Sequence, residues 1–245
     1  MTIWVKRMHR FPKSTINPYL TNNNGQMIAT IDALKQALST PENLISNGVG
    51  NFDDLAKSLM NNFQIMKGRK RYWLTEIEFY LFTESHRDII TYPRRCEAGM
   101  WFFHASGVDI SFKSNVIFED SPEKKKWMPI LSKGAVFGGI LIRGVVREDT
   151  LDRLVSGPIR VCDELFDKFD ALQTPTDFPQ IVVAPKARGV EPTKLLRFGI
   201  SKEDEKKVHG ILTSNYIGFD KVFREEKLVE AYKTYREEGL YRFRV

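Results

Sequence analysis

From Arg71 to Leu81, RYWLTEIEFYL, apolar and polar residues alternate. A strand sends successive side chains to opposite faces, so Trp73, Thr75, Ile77, Phe79 and Leu81 share one face. Tyr72, Leu74, Glu76, Glu78 and Tyr80 share the other. The first set suits a core. The second ends in two carboxylates and a tyrosine, and a carboxylate buried without a partner is costly. That face is predicted to be either washed by solvent or the wall of a site.

The same reading places elements on both sides of this strand. Ile31, Leu34 and Leu38 recur at helical spacing within Thr30 to Leu38. Asn51 is a plausible N-cap for a helix carrying Leu55, Leu59 and Phe63 on one stripe, with Asp53 and Asp54 in its first turn. A short strand over Phe63 to Met66 and a basic turn, Lys67 to Lys70, lead into the organising strand. The stretch from Thr83 to Glu97 reads as loop. Met100 to Ala105 and Val108 to Phe112 read as a hairpin around Ser106-Gly107.

Gly138 to Val146, GGILIRGVV, is a nearly continuous apolar run interrupted by Arg143, as expected of a strand buried on both faces. A buried arginine needs a partner, so Arg143 is predicted to pair with a carboxylate. Ser156-Gly157-Pro158 opens a helix with Cys162, Leu165, Phe166 and Phe169 along its apolar stripe, which makes Cys162 a core residue. Ile181 to Ala184 and Leu195 to Ile200 read as strands. The tail from Ser201 reads as charged and mostly helical.

Composition changes this picture little. With 42% apolar residues and 17 Phe among 245, a sizeable core is expected. A formal charge of +6 is compatible with a nucleic-acid partner without requiring one. Two cysteines, Cys96 and Cys162, match neither a disulfide framework nor a zinc spacing. No run approaches the roughly 18 apolar residues of a membrane span, and the N-terminus lacks the apolar stretch of a signal peptide. These features predict a cytoplasmic protein that does not bind a membrane.

Several stretches, taken in order, add a specific resemblance. LAKSLMNNFQIMKGRKRYWLTEIEFYLFTESH resembles the opening of the methylpurine (alkyladenine) DNA glycosylases, where a Leu-Ala helix leads into a strand ending Glu-x-Glu-x-Tyr and a loop histidine. Thr91, Pro93 and Arg94, the strand Met100 to Phe103, GILIRGV around Arg143, SGPIRVCDELF and LLRFGIS continue the likeness. It covers about residues 54 to 200. It implies an α+β fold: a single domain with a curved, mostly antiparallel sheet flanked by helices. Residues 51–200 would be the catalytic domain, 1–50 an N-terminal extension packed on or near it, and 201–245 a helical C-terminal extension.

The resemblance also implies roles. Glu78 would be the carboxylate that orients and deprotonates the water attacking the sugar C1′, opposing the positive charge of an oxocarbenium-like transition state. Arg143 would stand beside it. Tyr80, His86 and Phe103 would stack on a flipped base, where aromatic faces favour electron-poor, alkylated rings. The carbonyl of Ile200 would hold the water. His104 and Asp109, at the hairpin tip, are not explained by the family pattern and are read as a contact particular to this chain, to an unusual base or a flanking nucleotide. Arg94, Arg95, Lys67 and Lys70 would touch the DNA backbone. No metal or cofactor is implied. The partner would be DNA with damaged purines, duplex or single-stranded, met by a monomer, nucleoid-associated if in a bacterium.

The chain departs from the family at Ser106, where the family carries a bulky tyrosine that fills the gap left by the flipped nucleotide. Phe103 stands where the family has tyrosine, and the loop from Tyr80 to His86 is shorter. Two alternatives therefore stay open: a divergent, catalytically weak relative that only binds DNA, and a hydrolase of another N-glycoside or nucleoside on the same scaffold. His86, Asp88, His104 and Asp109 could also form a divalent-metal site, although their spacing matches no dedicated motif.

Overall fold

The computed structural model describes residues 27–122, 126–166, 169, 172, 175–197, 217–219 and 239–245. Thr30 caps the first helix, α1 (Ile31–Ser39), its hydroxyl accepting from the Ala33 N–H at 3.2 Å. The short ribbon β1 (Ile45–Ser46) and β2 (Val49–Gly50) follows, and then α2 (Asp53–Asn62). The cap position of α2 is Phe52, not Asn51, and makes no side-chain cap bond. Its ring instead stacks on Phe79 at 4.6 Å, so aromatic packing sets the entry of the chain into this helix.

The main sheet begins with β3 (Phe63–Lys67), β4 (Lys70–Phe82), β5 (Trp101–His104) and β6 (Gly107–Ser111), and a separate hairpin follows. That hairpin is β7 (Ile117–Ser121) with β8 (Lys126–Leu131), joined in parallel by β13 (Ile217–Phe219). The sheet continues with β9 (Phe137–Arg147) and β10 (Thr150–Ser156); α3 (Pro158–Phe166) follows, then β11 (Gln180–Val183), β12 (Thr193–Leu195) and β14 (Arg242–Arg244). Its strand order is β11-β3-β4-β9-β6-β5, with β10 on β9, β14 on β4 and β12 on β14. Every pairing in it is antiparallel. The strand order does not close on itself, and the result is an α+β domain.

One face of this sheet is apolar and carries α1, α2 and α3. Leu34 and Leu38 of α1, Leu55 and Leu59 of α2, and Val161 and Leu165 of α3 share a core with Ile77, Phe79, Leu81, Ile140 and Ile142. Burying each such side chain contributes on the order of 2 kcal/mol. Cys162 is only half-buried, and Val161 takes the core position expected of it. Most of the tail expected to be helical lies outside the described residues; its last strand sets Arg242 opposite Glu78 and Arg244 opposite Glu76. Strands β7, β10 and β14 leave no periodic signal along the chain. They are short or largely exposed, so apolar alternation does not mark them.

Strict alternation fails at one point in β4. Leu74 faces Val145, Glu76 faces Gly144 and Ile77 faces Ile142, so Thr75 is an extra residue on β4 and Arg143 an extra one on β9. Each bulge shifts the side-chain parity by one. Tyr72 and Leu74 therefore join the core with Ile77, Phe79 and Leu81, and Trp73 lies outside it. The sequence reading had those first residues on the wrong faces. The carboxylate half of the strand keeps its expected face.

Candidate functional site

Directly paired residues on neighbouring strands point to the same side of a sheet. Arg242, Glu78, Leu141, Asp109 and Phe102 form one such row across β14, β4, β9, β6 and β5. Tyr80, Gly139 and Ser111 form the next. The face opposite the helices is thus lined by ionisable groups, and most of them are buried.

Glu78 has no exposed surface. Its Oε2 accepts from the Tyr80 hydroxyl at 2.7 Å and from Nη1 of Arg143 at 3.3 Å. Burial, followed by the negative charge of Glu78, holds the Tyr80 phenol far above its usual pKa, so it stays protonated and donates. Arg143 reaches both acids, because its Nε donates to Oε1 of Glu76 at 2.9 Å. The bulge that makes Arg143 an extra residue aims it across the strand at both carboxylates. The same Glu76 oxygen accepts from Nε of Arg242 at 2.8 Å, and Arg244 approaches its other oxygen at 4.0 Å. The predicted pairing of Arg143 with a carboxylate is present, doubled.

Two further pairs flank this centre. Arg197 meets Asp88 through two bonds of 2.5 and 3.1 Å, with its guanidinium 4.7 Å from the centroid of the Tyr80 ring. Burial works to lower the Arg197 pKa, but the charge and hydrogen bonds of Asp88 overcome it and raise it, so this cation is permanent. On the other side, Arg94 pairs with Asp109 at 2.7 Å and lies 3.9 Å from the centroid of the Phe102 ring. A Cβ added to Gly139 would come within 2.6 Å of Arg94 Nη1, so only glycine leaves room for this arginine over β9.

The expected stacking trio is not assembled. Phe103 pairs with Val108, one residue out of phase with the Phe102–Asp109 row, so it points to the helix side, edge-on to Phe166 at 4.8 Å. His86 is wholly buried, packed edge-on against Phe52 and Tyr241, with Nδ1 3.0 Å from the Gly48 carbonyl. Burial lowers its pKa, helped by the charge of Arg197 and opposed by Asp88 and Gly48. Of the three, only Tyr80 stands beside Glu78. Ile200 lies outside the described residues.

His104 and Phe102 share the face of Glu78. His104 Nε2 sits 2.9 Å from Asp109 Oδ1, and the Ser106 N–H donates to its Nδ1 at 3.2 Å. An accepting Nδ1 fixes the neutral tautomer with the proton on Nε2, directed at Asp109.

The basic residues expected to meet DNA do not form one surface. Arg94 is 1% exposed and committed to Asp109, so it is turned inward and not toward a phosphate. Arg95 is exposed. Lys67 donates to the Glu164 carbonyl at 2.8 Å, holding the C-terminal turn of α3. Lys70 is exposed at the start of β4, roughly 26 Å along the strand from Glu78 at 3.3 Å per residue. Among the described residues no group of three or more His, Cys, Asp or Glu side chains is arranged to hold a metal ion, so His86 and Asp88 do not join His104 and Asp109 in one shell. Nor is any described helix long and apolar enough to cross a membrane.

Sequence reasoning singled out neither Arg197 nor Arg242 as a site residue. The only sequence signal for such partners was the pair of carboxylates, Glu76 and Glu78, on one face of the organising strand.

No family model and no solved structure matches the chain. One curated protein, from Acanthamoeba polyphaga mimivirus and described as "Uncharacterized protein L759", is 27% identical over 132 residues. The match covers 49% of this chain and 58% of that protein, so the chain spans little more than half the length of its relative.

Proposed function

We propose that this protein is a DNA glycosylase that hydrolyses the N-glycosidic bond of damaged, alkylated or deaminated purines, on a fold of the methylpurine-DNA glycosylase type. The observation that carries the reading is Glu78: a carboxylate with no exposed surface, held by a phenol and a guanidinium at the centre of an otherwise charged sheet face. Holding a carboxylate inside a protein takes partners on several sides, and buried, paired carboxylates of this kind are found at functional sites.

In the reaction, water attacks C1′ while Glu78 takes its proton. The C1′–N bond breaks, and the base leaves with the bonding electrons. Glu78 also opposes the positive charge that develops on the sugar. Arg143 and Tyr80 position the carboxylate; Glu76, tied to Arg143 and Arg242, holds Arg143 in turn. The side chain of Arg143 is 15% exposed against none for Glu78, so the deoxyribose approaches on the Arg143 side. A purine arriving there meets the chain that carries Tyr80 and His104.

A second reading, a relative that binds DNA without cutting the glycosidic bond, is favoured by the placement of Phe103 on the opposite face and by the closed contacts over Glu78. The two readings separate in one assay. Duplex and single-stranded oligonucleotides carrying hypoxanthine, 1,N6-ethenoadenine or methylated purines are incubated with the protein, and free base is measured. Base release supports the glycosylase. Salt-sensitive binding without release from any substrate supports the second reading.

A further inference from the structure

Tyr92 belongs to the loop before β5 and was singled out by no motif. Its ring lies 4.6 Å from that of His104, tilted by 36°, and its hydroxyl is 3.4 Å from the Ser106 hydroxyl at the tip of the β5–β6 hairpin. His104 in turn lies 5.8 Å from Phe102 at 30°, and Phe102 carries the Arg94 guanidinium at 3.9 Å. Four planar groups are therefore in serial contact, from a buried cation to an open ring.

The inner end of this series is fixed. Arg94 is 1% exposed and bound to Asp109, and Asp109 also holds His104 at Nε2 while Ser106 holds its Nδ1. The outer end is open, since Tyr92 is 39% exposed. Its ring lies against that of His104, while more than a third of the residue stays open to solvent. A rigid ring partly open to solvent is a preorganised stacking platform and loses little side-chain entropy when a second flat ring settles on it.

Resting on the glycosylase reading, we infer that Tyr92 is a stacking subsite for an unpaired nucleobase beside the centre at Glu78. Charge selects a nucleobase over an aromatic side chain of a protein. Arg95, exposed and three residues from Tyr92, offers a cation for the phosphate that accompanies every base, on a chain with a formal charge of +6. The subsite lies on the Glu78 face, since Asp109 and Glu78 belong to one row across β9. One strand could thus place its target sugar at Glu78 and a neighbouring base on Tyr92.

The test is fluorescence anisotropy with a labelled single-stranded oligonucleotide and the full chain, comparing wild type with Tyr92→Leu, Tyr92→Phe and Arg95→Gln. Loss of one stacked base is expected to weaken binding about tenfold or more in Tyr92→Leu, with the salt slope unchanged. Tyr92→Phe keeps the ring and is expected to bind like wild type. Arg95→Gln is expected to lower the salt slope by about one. If Tyr92→Leu binds as wild type does, or the wild type binds no oligonucleotide, the inference is wrong. Tyr92-dependent binding without base release would leave the subsite standing and overturn only the glycosylase reading. Base release untouched by Tyr92→Leu would do the reverse.

Discussion

The two faces of β4 are built on different physics. On the helix side, Ile77, Phe79 and Leu81 pack against α1, α2 and α3, and any apolar group of suitable shape would serve. On the other side, each acid needs a particular cation at a particular distance, and the cations come from far along the chain. Arg242 is 166 residues from Glu76, and Arg197 is 109 from Asp88. The apolar face makes the domain stable. The charged face makes it specific, and every group removed there leaves another buried without its partner.

Removing one member of a buried pair separates the two faces most strongly. Arg197→Met or Asp88→Asn is expected to cost about 3–5 kcal/mol in urea denaturation, because the other charge stays buried. The double variant is expected to recover part of that loss. On the opposite face Phe79→Ala also costs about 3–5 kcal/mol, but by leaving a cavity that no second truncation repairs. Single variants at Arg197 and Asp88 that each cost under about 1 kcal/mol would mean that this face is solvated and that the contrast drawn here is false.

The central network is expected to respond less, since Arg143 and Arg242 are partly open to solvent. A double-mutant cycle between Glu76→Gln and Arg242→Met is expected to give a coupling of about 1–2 kcal/mol. A coupling near zero would detach β14 from the site.

Smallest is the effect of pH through His86. Burial lowers its pKa from the ordinary 6.5, so the folded protein resists protonation at a pH where the unfolded chain accepts it. This contribution to stability is complete above about pH 6.5 and is lost as the pH falls from there toward the depressed native value. The melting temperature should therefore drop between pH 7.5 and 5.5, and more shallowly in His86→Gln. An equal drop in the two proteins would remove His86 as a cause.

The same contrast separates what the sequence made legible from what it hid. The helices α1 and α3, the strands β3, β4 and β9, and the β5–β6 hairpin follow from periodicity and turn residues, because apolar burial leaves a local pattern. The pairing of Arg143 with a carboxylate was legible too, from one charge in an apolar run. The bulges at Thr75 and Arg143 were not, since a one-residue register shift leaves each strand's own composition unchanged. The partners Arg197, Arg242 and Arg94 were hidden for a related reason: a surface arginine and one buried opposite an acid look alike in sequence. Phe103 went astray by a single residue of phase in β5, which sends it to the helix side and brings Phe102 and His104 to the acids.

The most direct test of the central claim is single-turnover base release by wild type and Glu78→Gln from an oligonucleotide carrying a methylated or deaminated purine, with DNA binding measured on the same samples. The account predicts release by the wild type, a rate about 100- to 10,000-fold lower in the variant, and unchanged binding. Release by Glu78→Gln at the wild-type rate would contradict it.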